Sequence, residues 1–186
     1  MKRCAWVNMN NPLYVEYHDK EWGRPVHDDT KLFEMLILEG AQAGLSWETV
    51  LNKRENYRKA FDYWDIDMIL KYDEEKITEL LQNEGIIRNK LKVHSVVKNA
   101  RVFREIQNEF GSFDSYIWSY VDHTPIQNRF EKLSDIPAST KISDTISKDL
   151  KKRGMSFVGS TIMYAYMQAI GMVNDHEVSC DFYEGN

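Results

Sequence analysis

The sequence predicts an all-α fold. Three observations carry the prediction. Apolar residues recur at helical spacing through most of the 186 residues, cap residues precede these runs and glycines follow them, and alternating strand patterns are scarce. With 42% hydrophobic and 12% aromatic residues the chain can bury a sizeable core. Its length suits one domain over residues 1–186, with room for two helical lobes that share the core.

The elements follow in order. "DDTKLFEMLILEGAQAG" starts on cap residues and places Leu32, Met35 and Leu36 on one face. "SWETVLNKRENYRKAF" opens with Ser46 as N-cap and continues through Val50, Leu51, Arg54, Tyr57 and Phe61. "DEEKITELLQNEG" opens at Asp73 and stops at Gly85. "NKLKVHSVVKNARVFREIQNEFG" repeats apolar residues from Leu91 to Phe103 and ends at Gly111. "DTISKDLKKRG" ends at Gly154, and the apolar "GSTIMYAYMQAIG" ends at Gly171. The first 30 residues read as irregular. They are rich in rings and turn formers, among them Trp6, Pro12, Tyr14, Tyr17, Trp22, Gly23 and Pro25, and such a segment suits a lid over a pocket.

No run of about 18 apolar residues is present, so no span of a membrane is expected. The first residues carry two cations but lack the apolar stretch of a secretion signal, which points to the cytoplasm. A structural disulfide is disfavoured there. The two cysteines, Cys4 and Cys180, are then buried apolar residues, free thiols or metal ligands. Cys4 and His18 lie near one end of the sequence, and His176 and Cys180 near the other. Together they form a Cys2His2 set suited to tetrahedral zinc, and the spacing of four puts His176 and Cys180 on one side of a helical turn. His27, His94 and His123, the remaining histidines, show no ligand spacing, which argues against a zinc hydrolase with an open coordination position.

A net charge of −5 speaks against a uniformly nucleic-acid-binding surface. Residues 85–104 differ. They hold Arg88, Lys90, Lys92, Lys98, Arg101 and Arg104 and no acid, so with +6 here and −5 overall the rest carries −11. One face can therefore meet a polyanion. A helix ending near Asn83, a tight turn at Gly85, Ile86 and Ile87, and a second helix from near Arg88 would set N–H groups toward a phosphate, with Arg88 and Lys90 beside it. A second basic cluster at 148–154 is weaker and fits a cation-rich helix C-terminus. In "LILEGAQAGLSW", Glu39 shares a helical face with Leu32, Met35 and Leu36. An acid on an apolar stripe is paired, neutral or functional. Gly44 and Leu45 form a loop tip directly after it, and Trp47 follows.

"RCAWVNMNNPLYVEYHDKEWG", "LFEMLILEGAQAGLSWETVLNKRENYRKAF", "GIIRNKLKV" and "KKRGMSFVGSTIMYAYMQAIGMVNDH" closely resemble the 3-methyladenine DNA glycosylase I family of constitutive bacterial alkylation-repair enzymes. The resemblance covers nearly the whole chain. It implies a helix-hairpin-helix glycosylase fold with a structural zinc on Cys4, His18, His176 and Cys180 that joins the N- and C-terminal segments. It implies a base pocket of Trp6, Tyr14, Tyr17, Trp22, Glu39 and Trp47, with Glu39 the catalytic or recognition acid. It implies a DNA wedge at Gly44 and Leu45 and a phosphate anchor over Gly85, Ile86, Ile87, Arg88 and Lys90. The catalytic aspartate of the wider superfamily has no clear counterpart; Asp114 is the nearest and is not assigned. The implied activity is hydrolysis of the N-glycosidic bond of 3-methyladenine by a monomer acting on alkylated double-stranded DNA, with free 3-methyladenine as product. The rival reading is a non-catalytic, zinc-stabilised DNA-binding module.

Overall fold

Helix α2 (Asp29–Ala41) runs through the centre of the molecule, and every residue from Leu32 to Ala41 is buried. A helix that is apolar on nearly all sides must be enclosed on all sides. The enclosure comes from α3 (Trp47–Asn52), α7 (Lys90–Phe110), α8 (Phe113–Ser119) and α10 (Ser160–Ala169). This computed structural model describes residues 1–183. Its other helices are α1 (Pro12–Lys20), α4 (Arg54–Ala60), α5 (Ile66–Ile69), α6 (Glu74–Gln82) and α9 (Lys141–Arg153). Two short strands, β1 (Ile126–Gln127) and β2 (Val173–Asn174), pair in parallel with Ile126 opposite Val173. The fold is thus mostly helical, as the spacing predicts. No helix among the described residues is long and apolar enough to cross a membrane.

Capping sets most boundaries. Asp28, Ser46, Asp73, Asn89 and Thr140 each accept a backbone N–H in the first turn of the helix they precede. Asp29 reaches further. Its carboxylate accepts from the N–H groups of Phe113 and Asp114, so the start of α2 also caps α8.

Three expectations need correction. The first 30 residues are not irregular throughout, because Asn11 and Pro12 start α1 as N-cap and first helical residue. The run 46–61 is not one helix; it breaks at Lys53, and after the break the Arg54 guanidinium reaches Glu34 and Glu21. The helix expected from near Arg88 does start there, at Lys90, where the Asn89 side chain caps it. His176 and Cys180 do not share a helical turn. They follow β2 in a tight turn closed by Cys180 N–H donating to Glu177 C=O at 2.8 Å.

Two backbone hydrogen bonds hold the N-terminal segment on the helices. Gly23 N–H donates to Gln168 C=O, and Val26 N–H to Ile170 C=O. Gly171 has a φ of +77°, and a Cβ placed there would lie 2.2 Å from the Arg24 carbonyl carbon. Left-handed backbone and an unyielding neighbour both demand glycine. Gly171→Ala is therefore expected to cost at least about 3 kcal/mol, a fall in melting temperature of roughly 6–12 °C. A thermal unfolding curve matching wild type would show that this seam is not as tight as described.

Candidate active site

The end of α2 delivers Glu39 and then stops. Lys92 on α7 donates its Nζ to Ala41 C=O at 2.9 Å and Ala43 C=O at 2.6 Å, a cation on a helix C-terminus. Gly44 then takes a φ of +77°, which turns the chain sharply. Leu45 stands 41% exposed at the tip, and Ser46 starts α3 by accepting from Thr49 N–H. This short reversal returns Trp47 to the Glu39 side, where its ring packs 5.3 Å from that of Tyr17.

A cavity of about 320 Å³ opens there. Trp6, Tyr14, Tyr17, Trp22, Glu39 and Trp47 all line it. Helix α1 presents Tyr14 and Tyr17, and Trp6 lies 5.2 Å from Tyr14 and 4.9 Å from Trp22, ring to ring. The sequence reading missed the opposite wall. Thr161, Tyr164, Ala165 and Gln168 come from α10, and Leu133, Ile136, Pro137 and Ala138 come from the loop before α9. A second cavity, of about 300 Å³, shares Glu39 and Gln42 and is bordered by Gly44, Leu45, Thr161 and Ile162. The loop tip thus adjoins the ring-lined cavity.

Glu39 is the electrostatic oddity of the site. Among the described residues no hydrogen bond or ion pair reaches its carboxyl group, and burial pushes its pKa up to about 8. Glu34, one turn earlier on α2, is buried too. Burial would raise it likewise, but Arg58 and Arg54 hold it down at about 2, and Trp64 Nε1 donates to it as well. The nitrogens Trp6 Nε1 and Trp47 Nε1 are also buried and without partners. Three of the residues that line one cavity thus carry a polar group with no partner among the described residues.

The expected phosphate anchor is partly occupied by the protein itself. Gly85 N–H donates to Asn83 Oδ1 at 2.8 Å, Ile87 N–H donates to the Tyr57 hydroxyl at 3.2 Å, and the Ile86 side chain is buried. Arg88 and Lys90 remain exposed. A second helix–turn–helix lies nearer the cavity: α9, residues 154–159 and α10. Phe157 in this turn has a φ of +57°, and no side chain caps α10. A Cβ on Gly40 would come within 3.2 Å of Phe157 Cβ, so the turn rests on the α2 backbone beside Glu39. The signal for it was present in the cations of 148–154 and the glycine at 159. Asp114 lines neither cavity; it pairs with His27 at 2.7 Å.

Cys4, His18, His176 and Cys180 are all buried, and their ligand atoms lie within 4.8 Å of one another. Three of the four sulfur–nitrogen separations are 3.5, 3.6 and 3.7 Å. A tetrahedron with zinc–sulfur bonds of about 2.3 Å and zinc–nitrogen bonds of about 2.0 Å has such edges near ~3.5 Å. The outer hydrogen bonds fit as well. His18 Nδ1 meets Asp19 at 2.8 Å, and His176 Nε2 meets Trp22 C=O at 3.0 Å, leaving His18 Nε2 and His176 Nδ1 to face the sulfurs. Burial lowers His176 to about 4, so its ring is neutral at pH 7, the form that ligates a metal. The donor set suits zinc.

The methyladenine glycosylase family model matches residues 6–184. The chain belongs to that family. It is 50% identical to DNA-3-methyladenine glycosylase 1 of Escherichia coli (strain K12), over 100% of this chain and 99% of that protein. Its fold matches a crystal structure of 3-methyladenine DNA glycosylase I at 50% identity, with a TM-score of 0.94 and coverage of 97% of this chain and 98% of the other. A further structure of a 3-methyladenine DNA glycosylase I, solved in complex with 3-methyladenine, is 32% identical, with a TM-score of 0.93 and coverage of 97% of each chain.

The raised pKa of Glu39 fixes the sign of a pH effect. The group keeps its proton in the folded protein up to about 8 and loses it in the unfolded chain near 4.5. Between those values the unfolded state binds fewer protons, so rising pH destabilises the fold, by up to about 1.4 kcal/mol per pH unit. Glu39→Gln removes this loss. The variant should gain stability relative to wild type from pH 5 to pH 8 in paired denaturation curves. A difference that does not change with pH would mean that Glu39 is compensated in the free protein.

Proposed function

We propose that this protein is a monofunctional base-excision glycosylase that hydrolyses the N-glycosidic bond of 3-methyladenine in alkylated double-stranded DNA. The unpartnered, buried carboxyl of Glu39 in a ring-lined cavity carries the reading. A base inside a duplex must leave the stack before its glycosidic bond can be reached. Leu45, exposed on its tight turn, enters the gap that opens. Adenine methylated at N3 is cationic in DNA, so the tryptophan and tyrosine rings attract it. The cation also draws Glu39 to its carboxylate form, and the exclusion of water strengthens that attraction. When the bond breaks, its electron pair goes to the base, which departs neutral, and the positive charge passes to the sugar. Water then adds to the sugar carbon and gives up a proton. The lesion is a good leaving group, so Glu39 acts first in recognition and then as a negative charge near the sugar cation. An unmodified adenine gains neither charge interaction.

The helix-hairpin-helix role falls to α9, the turn at 154–159 and α10. Arg88 and Lys90 serve as phosphate contacts, which position a duplex without reading its sequence. Cys4, His18, His176 and Cys180 would hold zinc as a closed four-ligand clasp. Such a metal supplies folding energy and cross-links the N-terminal rings to the C-terminal turn.

The activity is tested by incubating the protein with methylated DNA and separating the released bases. Release of 3-methyladenine without release of adenine is expected; tight binding with no base released would leave only a DNA-binding module. Leu45→Ala should slow excision from duplex DNA at least about tenfold more than from single strands, since only a duplex has a stack to hold open. Equal losses on both substrates would assign Leu45 to folding instead.

Metal analysis of the purified protein should find one zinc per chain. Cys180→Ala should lose it and melt at least about 10 °C lower, because metal-binding energy in such a clasp is folding energy. Metal-free wild type of unchanged stability would remove zinc from the proposal.

A further inference from the structure

Asp175 is fully buried and carries three hydrogen bonds. Its Oδ2 accepts from the Tyr164 hydroxyl at 2.5 Å and from Gln168 Nε2 at 2.9 Å, and its Oδ1 accepts from Asn128 Nδ2 at 2.7 Å. All three partners are donors, the set that an acceptor-only carboxylate requires. Tyr164 and Gln168, four residues apart on α10, both line the cavity that holds Glu39. Asp175 therefore stands behind one wall of the base pocket and sets how that wall can bond.

The consequence is a polarity. With its proton committed to Asp175, the Tyr164 oxygen can only accept from a ligand. The Gln168 amide cannot turn over, because its oxygen would then meet the carboxylate. Glu39 adds a further acceptor once ionised. A ligand that answers these acceptors presents an amino donor, as adenine does at its 6-position. A 6-oxo purine sets a carbonyl acceptor against them. Mismatched buried donors and acceptors cost far more than a missing apolar contact.

We propose that Asp175 is a positioning residue that sets the hydrogen-bond polarity of the base pocket, and with it the preference for an alkylated 6-amino purine over an alkylated 6-oxo purine. This rests on the glycosylase reading above. The test is single-turnover excision of 3-methyladenine and 3-methylguanine from the same methylated DNA, with zinc content measured on each protein. Wild type should favour 3-methyladenine. Asp175→Leu keeps the volume but removes the acceptor that both donors share, freeing the Tyr164 O–H and the Gln168 amide to turn. It should lower the ratio of the two rates at least about tenfold, the scale of one mismatched buried hydrogen bond. Tyr164→Phe leaves the carboxylate in place and removes one acceptor from the wall. It should lower the ratio in the same direction, and it decides the matter alone if the Asp175 variant does not fold. A ratio that stays constant while both rates fall would make Asp175 a structural acid and overturn the inference. So would a wild type without preference between the lesions. A wild type that releases neither base would overturn the glycosylase reading itself.

Discussion

The enclosure of α2 is the constraint from which the rest follows. A helix buried from Leu32 to Ala41 has no solvent side, so each polar group on it must be answered by the protein or left for something else. Its two buried acids meet that demand in opposite ways. Glu34 is held as a carboxylate by two guanidiniums and an indole N–H, and this ties α4 and Trp64 to the core. Glu39 has no such partner and retains its proton. Identical side chains five residues apart thus become a fastener and a receptor. The difference lies entirely in what the surrounding helices bring to them.

The ring-lined wall depends on the Cys/His cluster more closely than on the helical core. Trp22 receives a hydrogen bond from His176 at its carbonyl and packs its ring 4.7 Å from the same imidazole. Trp6 lies 5.2 Å from His18, and Tyr14 and Tyr17 share α1 with that histidine. The cluster therefore grips three of the elements that shape the pocket. A change in its geometry reaches the stacking surfaces through direct contact and needs no longer route.

Local chemistry made much of this legible in the sequence. The cap residues Ser46 and Asp73 mark true helix starts, and Glu39, Leu45 and Trp47 could be grouped because one short helix–loop–helix carries all three. Helix α1 was hidden by its own rings. Their even distribution weakens the apolar stripe, although Asn11 and Pro12 announced the start. The α10 wall and the loop of Leu133, Ile136 and Pro137 were illegible for another reason. They enter the pocket by folding across more than 90 residues of sequence, and threonine, proline and leucine give no chemical sign of a site. Asp175 was obscured by its neighbour His176, which drew the interpretation of that segment toward metal.

Gly40 has a meaning beyond packing. Because it lacks a Cβ, the turn at Phe157 lies against the helix backbone one residue from Glu39. Two surfaces in van der Waals contact cannot drift relative to each other. The turn and the carboxyl are thereby mounted on one rigid piece of backbone, so that a displacement of either is a displacement of both.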